Sequence, residues 1–476
     1  MAYPDKLWQE TPLIRSIHIS SLLGCDAYLK LENLQPSQSF KYRGVSHFAQ
    51  NVLRIHGPDA HLVIASSGNA GIAAACAANI LHLMCTVFLP YGVSQATIDF
   101  MRKEGAKIDI GGENYHHALQ RAQAAVAAEA KAVMVPGYDH PLVWEGHASM
   151  VYEMRHQLPD GVKPDAIFCS VGGGGLAGGI IEGCKAVGWD DVPLVTAETH
   201  GSNCFYQSLA LNEGPFSGSV SSRILPEGIS AKYSEEHNVT LAHLSKLTSR
   251  ATSLGAIYPS GAVVRKALDR SGDVRSFCVP DEMTMQTALS FAEDHKMLVE
   301  LACAAALSPA YNPPLFRKLV PGTGKRTTVV FVVCGGSKIS LADMEEYKGI
   351  IASEVAASKE WTVACTGQQK VDQSEIRTRG RVLMYPMLRT DRGSRASPPG
   401  RRLSKVKLEI HLFSKSDTAM WCGEFGEFTG SAVGTEVSIS REVHKYTQES
   451  KLIHSGGSLK LKKFEGKRAQ MGFAFG

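Results

Sequence analysis

HLVIASSGNAGIAAACAANI, residues 61–80, decides the fold. Leu62 to Ala65 form a short apolar run that reads as a strand, and Gly71 onward is an Ala-rich run that reads as a helix. Ser66, Ser67 and Gly68 make the turn between them. A strand without polar alternation is one buried on both faces, which is the habit of parallel sheets covered by helices.

The same unit recurs on either side. Upstream, AYLKLE (27–32) is the first such strand candidate. Downstream, MCTVFLP (84–90), AKIDIG (106–111) and AVMVPG (132–137) each precede a helical stretch. DAIFCSV (165–171), PLVTAET (193–199) and TTVVFVVCGG (327–336) do the same. The chain is therefore α/β from about residue 26 to about residue 350. In open parallel sheets ligands bind where strands end and loops enter the next helix. Four such loops are unusual: SSGNAG, VGGGG, ETHGSN and CGGS.

Gly172 to Gly175 stand between a buried strand and a helix. Glycines there let backbone N–H groups converge at a positive helix end, which suits a phosphate. A Walker loop is excluded, since no Gly-Lys-Ser/Thr follows. A dinucleotide fingerprint belongs on a first βα unit, and this run comes midway along the chain. A merely tight turn is the remaining reading of the run alone. Ser66 or Ser67 can simply cap the next helix; with Asn69 they can also present hydroxyls and N–H groups to a carboxylate. Cys334 ends a buried strand, as a core thiol or as a weak partner for a buried ring nitrogen.

The 476 residues suffice for two or three domains, and 44% hydrophobic content is ordinary for a globular chain. No apolar run approaches the roughly 18 residues of a membrane span. The N-terminus shows neither a secretory nor a transit pattern. None of the 11 cysteines forms a C-x-x-C pair, and most lie in apolar strings, as in a reducing compartment. The cytosol is the expected location. Residues 353–476 carry 21 Lys+Arg and 13 Asp+Glu, against 29 and 33 in residues 1–352. The body is mildly acidic and the tail basic. RTRGRVLMYPMLRTDRGSRASPPGRR (377–402) reads as linker or disordered segment. KVKLEIHLF (405–413), TEVSISREVHKY (435–446) and SLKLKKF (458–464) alternate like antiparallel strands. The tail lacks an RNA-recognition signature, so nucleic acid is not an expected partner.

PSQSFKYRG, residues 36–44, sets Phe40 and Lys41 at the start of an amphipathic run. Alone, Lys41 reads as a solvated first-turn residue. Together, PSQSFKYRG, SSGNAG, GGGGL and CGGS, with DHPLVWEGHAS (139–149) and ETHGS (198–202), resemble the serine/threonine dehydratase family of fold type II pyridoxal-phosphate (PLP) enzymes. The likeness is strongest to the branch acting on L-serine. It runs from about residue 8 to about residue 350.

That resemblance implies a tryptophan synthase β-like fold of two open, twisted, mostly parallel α/β domains. Residues 1–36 and 139–352 would form the large PLP-binding domain, 37–138 the small one, and 353–476 a basic extension. It implies Lys41 as the Schiff-base lysine and Phe40 against the cofactor ring. Asn69 would bond the ring 3′-oxygen, and Gly172, Gly173, Gly174 and Gly175 with Leu176 would hold the phosphate. Cys334 would face the ring nitrogen. Ser66, Ser67, Asn69 and Ala70 would clasp the substrate carboxylate. A monovalent cation, K+, would lie at Glu198, Ser202, Leu254 and Ala256, the last three through backbone carbonyls. The implied reaction is β-elimination through an aminoacrylate, from L-serine to pyruvate and ammonia and from L-threonine to 2-oxobutanoate and ammonia, in a homodimer.

Two residues depart from the pattern. Gln38 stands where a glycine is common. Ser67 stands where the most active dehydratases of the branch have alanine, which implies slower elimination and some racemisation, with Ser67 as a proton donor. A racemase or β-replacement enzyme of the same fold is thus one alternative. A catalytically weak PLP-fold binding protein is another, of a different class.

Overall fold

The computed structural model describes residues 5–212, 225–357 and 359–365, with strand segments 376–379, 437–439, 450–455, 458–462 and 469–470. The chain divides into two compact units, Met1–Val382 and Leu383–Gly476.

The first unit opens with β1 (Leu13–Arg15), α1 (Ile17–Leu23), β2 (Asp26–Leu31) and α2 (Lys41–His56). A compact series follows: β3 (His61–Ala65), α3 (Asn69–Leu81), β4 (Met84–Leu89), α4 (Gln95–Lys103), β5 (Lys107–Ile110), α5 (Tyr115–Ala128) and β6 (Ala132–Met134). Then come α6 (Pro141–Gln157), β7 (Ala166–Ser170), α7 (Gly175–Ala186), β8 (Leu194–Thr199) and α8 (Cys204–Ala210). The hairpin β9 (Ile229–Ser234) and β10 (Val239–Leu244) precedes α9 (Gly261–Asp269) and β11 (Val274–Val279). The unit closes with α10 (Asp281–His295), α11 (Leu301–Leu307), α12 (Pro313–Leu319), β12 (Thr328–Val333), α13 (Leu341–Ala356), β13 (Glu360–Cys365) and β14 (Ile376–Arg379).

Two sheets result. One has the order β5-β4-β3-β6 and is parallel throughout. The other has the order β1-β2-β12-β7-β8-β11-β13-β14. Its centre from β2 to β11 is parallel, and antiparallel pairs close both edges. Every residue of β7, β8 and β12 is buried, as the unalternated apolar strings require. Helix starts follow local chemistry: Ser16, Ser94, Asn114 and Ser260 each accept a bond from a first-turn N–H, and Ser340 with Asp343 forms a capping box.

The apolar interior is correspondingly split. Val45, Ile64, Ile72, Val87 and Met101 pack on one face of the four-stranded sheet, and Val63, Phe88, Ala118 and Ala122 on the other. The larger sheet buries Phe168, Phe277, Phe316 and Phe331. The β9–β10 hairpin, which the β-α repetition does not announce, is antiparallel. The larger sheet also continues past residue 352. β13 pairs with β11 at Phe277–Cys365 and Cys278–Ala364, and Trp361, Val363 and Cys365 belong to its core.

In the second unit, β15 (Val437–Ile439), β16 (Ser450–Ser455), β17 (Ser458–Lys462) and β18 (Ala469–Gln470) form an antiparallel sheet in that order. Two of these strands fall in the alternating stretches TEVSISREVHKY and SLKLKKF. KVKLEIHLF and most of the Arg- and Pro-rich run lie outside the described residues.

Candidate active site

The loop before α2 and the loop after β12 are tied together by their backbones. Phe40 N–H donates to the Cys334 carbonyl at 3.0 Å, and Gly336 N–H to the Gln38 carbonyl at 2.8 Å. Ser39 and Gly335 pair as an antiparallel bridge between them. This fixes Lys41, first residue of α2, beside Cys334, whose Sγ lies 3.3 Å from Ser170 Oγ. Gln38 takes φ 60° in this loop, a left-handed conformation that favours glycine. The departure at Gln38 therefore acts first on the backbone.

Lys41 Nζ donates to the Gly137 carbonyl at 2.5 Å and stands 5.3 Å from the centre of the Phe40 ring. Burial pushes the ammonium down to about 8, because the charged form loses water without gaining a carboxylate. The Phe40 ring also meets His147, ring centres 4.9 Å apart and tilted by 55°. His147 accepts from Gly44 N–H through Nδ1 at 3.2 Å, so Nε2 carries its proton, and Nε2 has no partner. Burial first, then Lys41 and Arg43, hold this imidazole neutral well below the usual histidine range.

Behind Lys41, Arg43 is fully buried between two carboxylates. Its Nε and Nη2 donate to Glu32 at 2.6 and 2.8 Å, and its Nη1 and Nη2 to Glu153 at 2.6 Å each. Lys30 Nζ also donates to Glu153, at 2.6 Å. Paired forks of this kind satisfy the guanidinium in a dry place.

The asparagine loop follows β3. Ser66 Oγ accepts from Gly71 N–H at 3.0 Å and closes the loop. Ser67 is partly exposed beside it, and Ala70 is buried in the first turn of α3. Asn69 Oδ1 accepts from Ser337 N–H and Oγ at 3.1 and 3.2 Å. Its Nδ2 donates to Glu300 Oε1 at 3.1 Å and Ser253 Oγ at 3.3 Å. A ring oxygen would replace one of these two acceptors.

Gly172 to Gly175 lead from β7 into α7, whose first turn has no side-chain cap. A Cβ on Gly173 would stand 2.5 Å from the Tyr138 ring, and Gly174 has φ 105°. Only glycines fit this approach, and they leave the N–H groups at the α7 start to an anion. The Tyr138 carbonyl accepts from Trp144 Nε1 at 2.8 Å, which anchors that wall, and Leu176 is buried in the helix. A phosphate cradle, a lysine of lowered pKa and a thiol beside a serine hydroxyl are the donors that a pyridine cofactor with a phosphate requires. The residues fit PLP.

Ser202 Oγ donates to the Leu254 carbonyl at 2.8 Å, and Ala256 N–H reaches the same oxygen at 2.8 Å. That carbonyl would be 3.0 Å from a Cβ on Gly172. Glu198, fully buried at the end of β8, accepts from Phe205 and Tyr206 N–H at 3.0 and 2.5 Å. Burial raises its carboxyl well above the ordinary range, with the two N–H donors opposing. The ETHGS loop is also held by His200 Nε2 and the Thr362 carbonyl, 2.9 Å apart.

Sequence reasoning missed Gly137, His147, Ser253, Glu300 and Lys338. His147 stood in the quoted DHPLVWEGHAS, and Lys338 follows CGGS directly; neither Glu300 nor Ser253 lies in a motif of its own.

Residues 5–335 match the family model described as "Pyridoxal-phosphate dependent enzyme". The chain is 35% identical over 350 residues to the mouse protein named L-serine dehydratase/L-threonine deaminase, covering 73% of this chain and 97% of that one. The human protein of the same name is 35% identical over 346 residues, covering 72% and 95%. The crystal structure of a fungal L-serine ammonia-lyase from Rhizomucor miehei superposes with a TM-score of 0.63 at 33% identity, covering 72% of this chain and 99% of that one. With lysine, asparagine and glycine loops meeting at strand ends, this chain belongs to the pyridoxal-phosphate dependent enzyme family.

Proposed function

We propose that the chain is a PLP-dependent ammonia-lyase that deaminates L-serine to pyruvate and L-threonine to 2-oxobutanoate. The observation that carries this reading is Lys41: an amine lowered to about 8, locked by backbone bonds beside Cys334. The names of the mouse, human and fungal relatives support the substrate class.

Bound PLP would supply an electron sink for the pair left at the substrate Cα. Lys41, about a tenth free base at pH 7 where an ordinary lysine is below about 0.1%, is the group to take the Cα proton. Gly172 to Gly175 with Leu176 would hold the phosphate, Phe40 would flank the ring, and Cys334 and Asn69 would face its nitrogen and 3′-oxygen. The Ser66–Ala70 loop would orient the carboxylate, so that the Cα–H bond points at Lys41. Net loss of the Cα proton and the β-hydroxyl as water would give an aminoacrylate, which a second water would convert to the oxo acid and ammonia. Glu198, with the carbonyls of Ser202, Leu254 and Ala256, would take K+ under the Gly172 loop; a buried carboxyl without a cation partner is otherwise costly. Residues 1–36 with 139–352, and 37–138, are the two domains of this reading, joined in a homodimer in the cytosol. Among the described residues no helix is long and apolar enough to cross a membrane.

The test is a visible spectrum of the purified chain with PLP, before and after L-serine, with pyruvate assayed together. A cofactor band that shifts as pyruvate appears, and that is lost in Lys41→Ala, supports the lyase. A shift without pyruvate, but with D-serine on chiral analysis, would favour the racemase reading that Ser67 suggests.

A further inference from the structure

The turn after β12 brings a second lysine to the asparagine loop. Gly335 and Gly336 reverse the chain at φ 78° and 129°, and Lys338 follows. Its backbone N–H donates to Glu300 Oε1 at 2.8 Å, the oxygen that also receives Asn69 Nδ2. The side chain then crosses Gly68. A Cβ on Gly68 would stand 2.9 Å from Lys338 Cε and 3.2 Å from its Nζ. Nζ donates to Thr252 Oγ1 at 2.9 Å. Among the described residues no carboxylate oxygen lies within 4.0 Å of it.

An ammonium has three donors, and here one is used by protein. The residue is partly exposed; burial of its side chain works against the charge, and Glu300, the acid that favours it, is already engaged by two N–H groups. Two donors of this ammonium are therefore left to offer to an anion that enters the site. Directly under the ammonium are the turn Ser66–Gly68 and the start of the 13-residue α3, where Ser66 Oγ takes the Gly71 N–H and Gly68 brings no side chain of its own. The helix end also favours negative charge. Two independent features, a side-chain cation and a helix start, thus face one place.

We infer that Lys338 is a specificity-determining residue whose ammonium pairs with the substrate α-carboxylate above Gly68, adding charge selection to the neutral donors of the asparagine loop. This rests on the lyase reading for the identity of the substrate. The cofactor phosphate is the competing anion, and the test separates the two.

The test uses the full-length holoenzyme with Lys338→Met, which keeps length and loses charge, and Lys338→Arg, which keeps charge. L-Alanine has no β-hydroxyl to lose, so its Kd by calorimetry reads carboxylate binding without turnover. A charge-assisted bond of ordinary strength predicts that Lys338→Met raises the L-alanine Kd and the L-serine KM about 10- to 100-fold, with a smaller change in kcat. Lys338→Arg should recover most of the loss. L-Serinamide, which lacks the carboxylate, should not discriminate the variants. An unchanged L-alanine Kd in folded Lys338→Met overturns the inference, as does a loss confined to PLP affinity. If the parent chain binds L-alanine but forms no pyruvate from L-serine, the lyase reading fails while the role of Lys338 is still decided.

Discussion

Lys41 owes its chemistry to where its ammonium is placed. An amine takes up an aldehyde only as the free base, so the fraction deprotonated sets the rate. With Lys41 lowered to about 8, uptake of PLP by the cofactor-free chain should rise with pH through a midpoint near 8, and level off above it. An unperturbed lysine would rise only near 10.4. Stopped-flow absorbance across pH 6.5–10 checks this. Gln38 makes a second residue-scale prediction. Its left-handed backbone costs about 1–2 kcal/mol, and glycine's looser unfolded chain returns about 0.5–1 kcal/mol. Gln38→Gly should therefore stabilise the chain by about 0.5–1 kcal/mol in urea unfolding. At this scale much was legible. Lys41, Asn69, Cys334 and the four glycines each announce themselves through neighbours in the sequence. Their partners do not. The Gly137 carbonyl lies 96 residues from Lys41, and Glu300 lies 231 from Asn69. Such pairs are set by which loops end side by side, and no local spacing encodes that.

At the scale of elements, α2 is the part that must not move. Its first residue carries the amine, and two residues later Arg43 clamps it to Glu32 and Glu153. The element itself is written in the amphipathic run after PSQSFKYRG, but the clamp is not, because Glu32 and Glu153 come from a short turn after β2 and from α6. Arg43→Met leaves two buried carboxylates with less cation than they need. It should cost about 3–5 kcal/mol of stability by urea unfolding, more than a truncated surface ion pair would. The β-strands were legible for a simpler reason: β7, β8 and β12 are buried on both faces, so their apolar runs are unbroken. The β9–β10 hairpin escaped notice because its outer strand is largely exposed and mixed in composition.

For the whole molecule, the β-α repetition gave the right class of sheet but not its edge. β13 lies beyond the last β-α unit and runs antiparallel, so repetition could not announce it. Its Trp361 and Val363 are covered by the larger sheet's core. A chain ending after residue 357 should lose about 3–5 kcal/mol through their removal. One ending after Val382, the boundary of the first unit, should keep the stability and cofactor binding of the full chain. Thermal unfolding of the two truncations, with PLP absorbance alongside, checks both.

The ten described cysteines are all buried and unpaired. A thiol reagent can therefore reach them only when the fold opens. That turns the sulfur atoms into a built-in clock: in native buffer, labelling by a bulky disulfide reagent should level off with rising reagent concentration at the pace of local opening, once modification outpaces reclosing. Saturating PLP should slow the modification of Cys334 in particular, and mass spectrometry of the labelled peptides would time each region of the molecule separately.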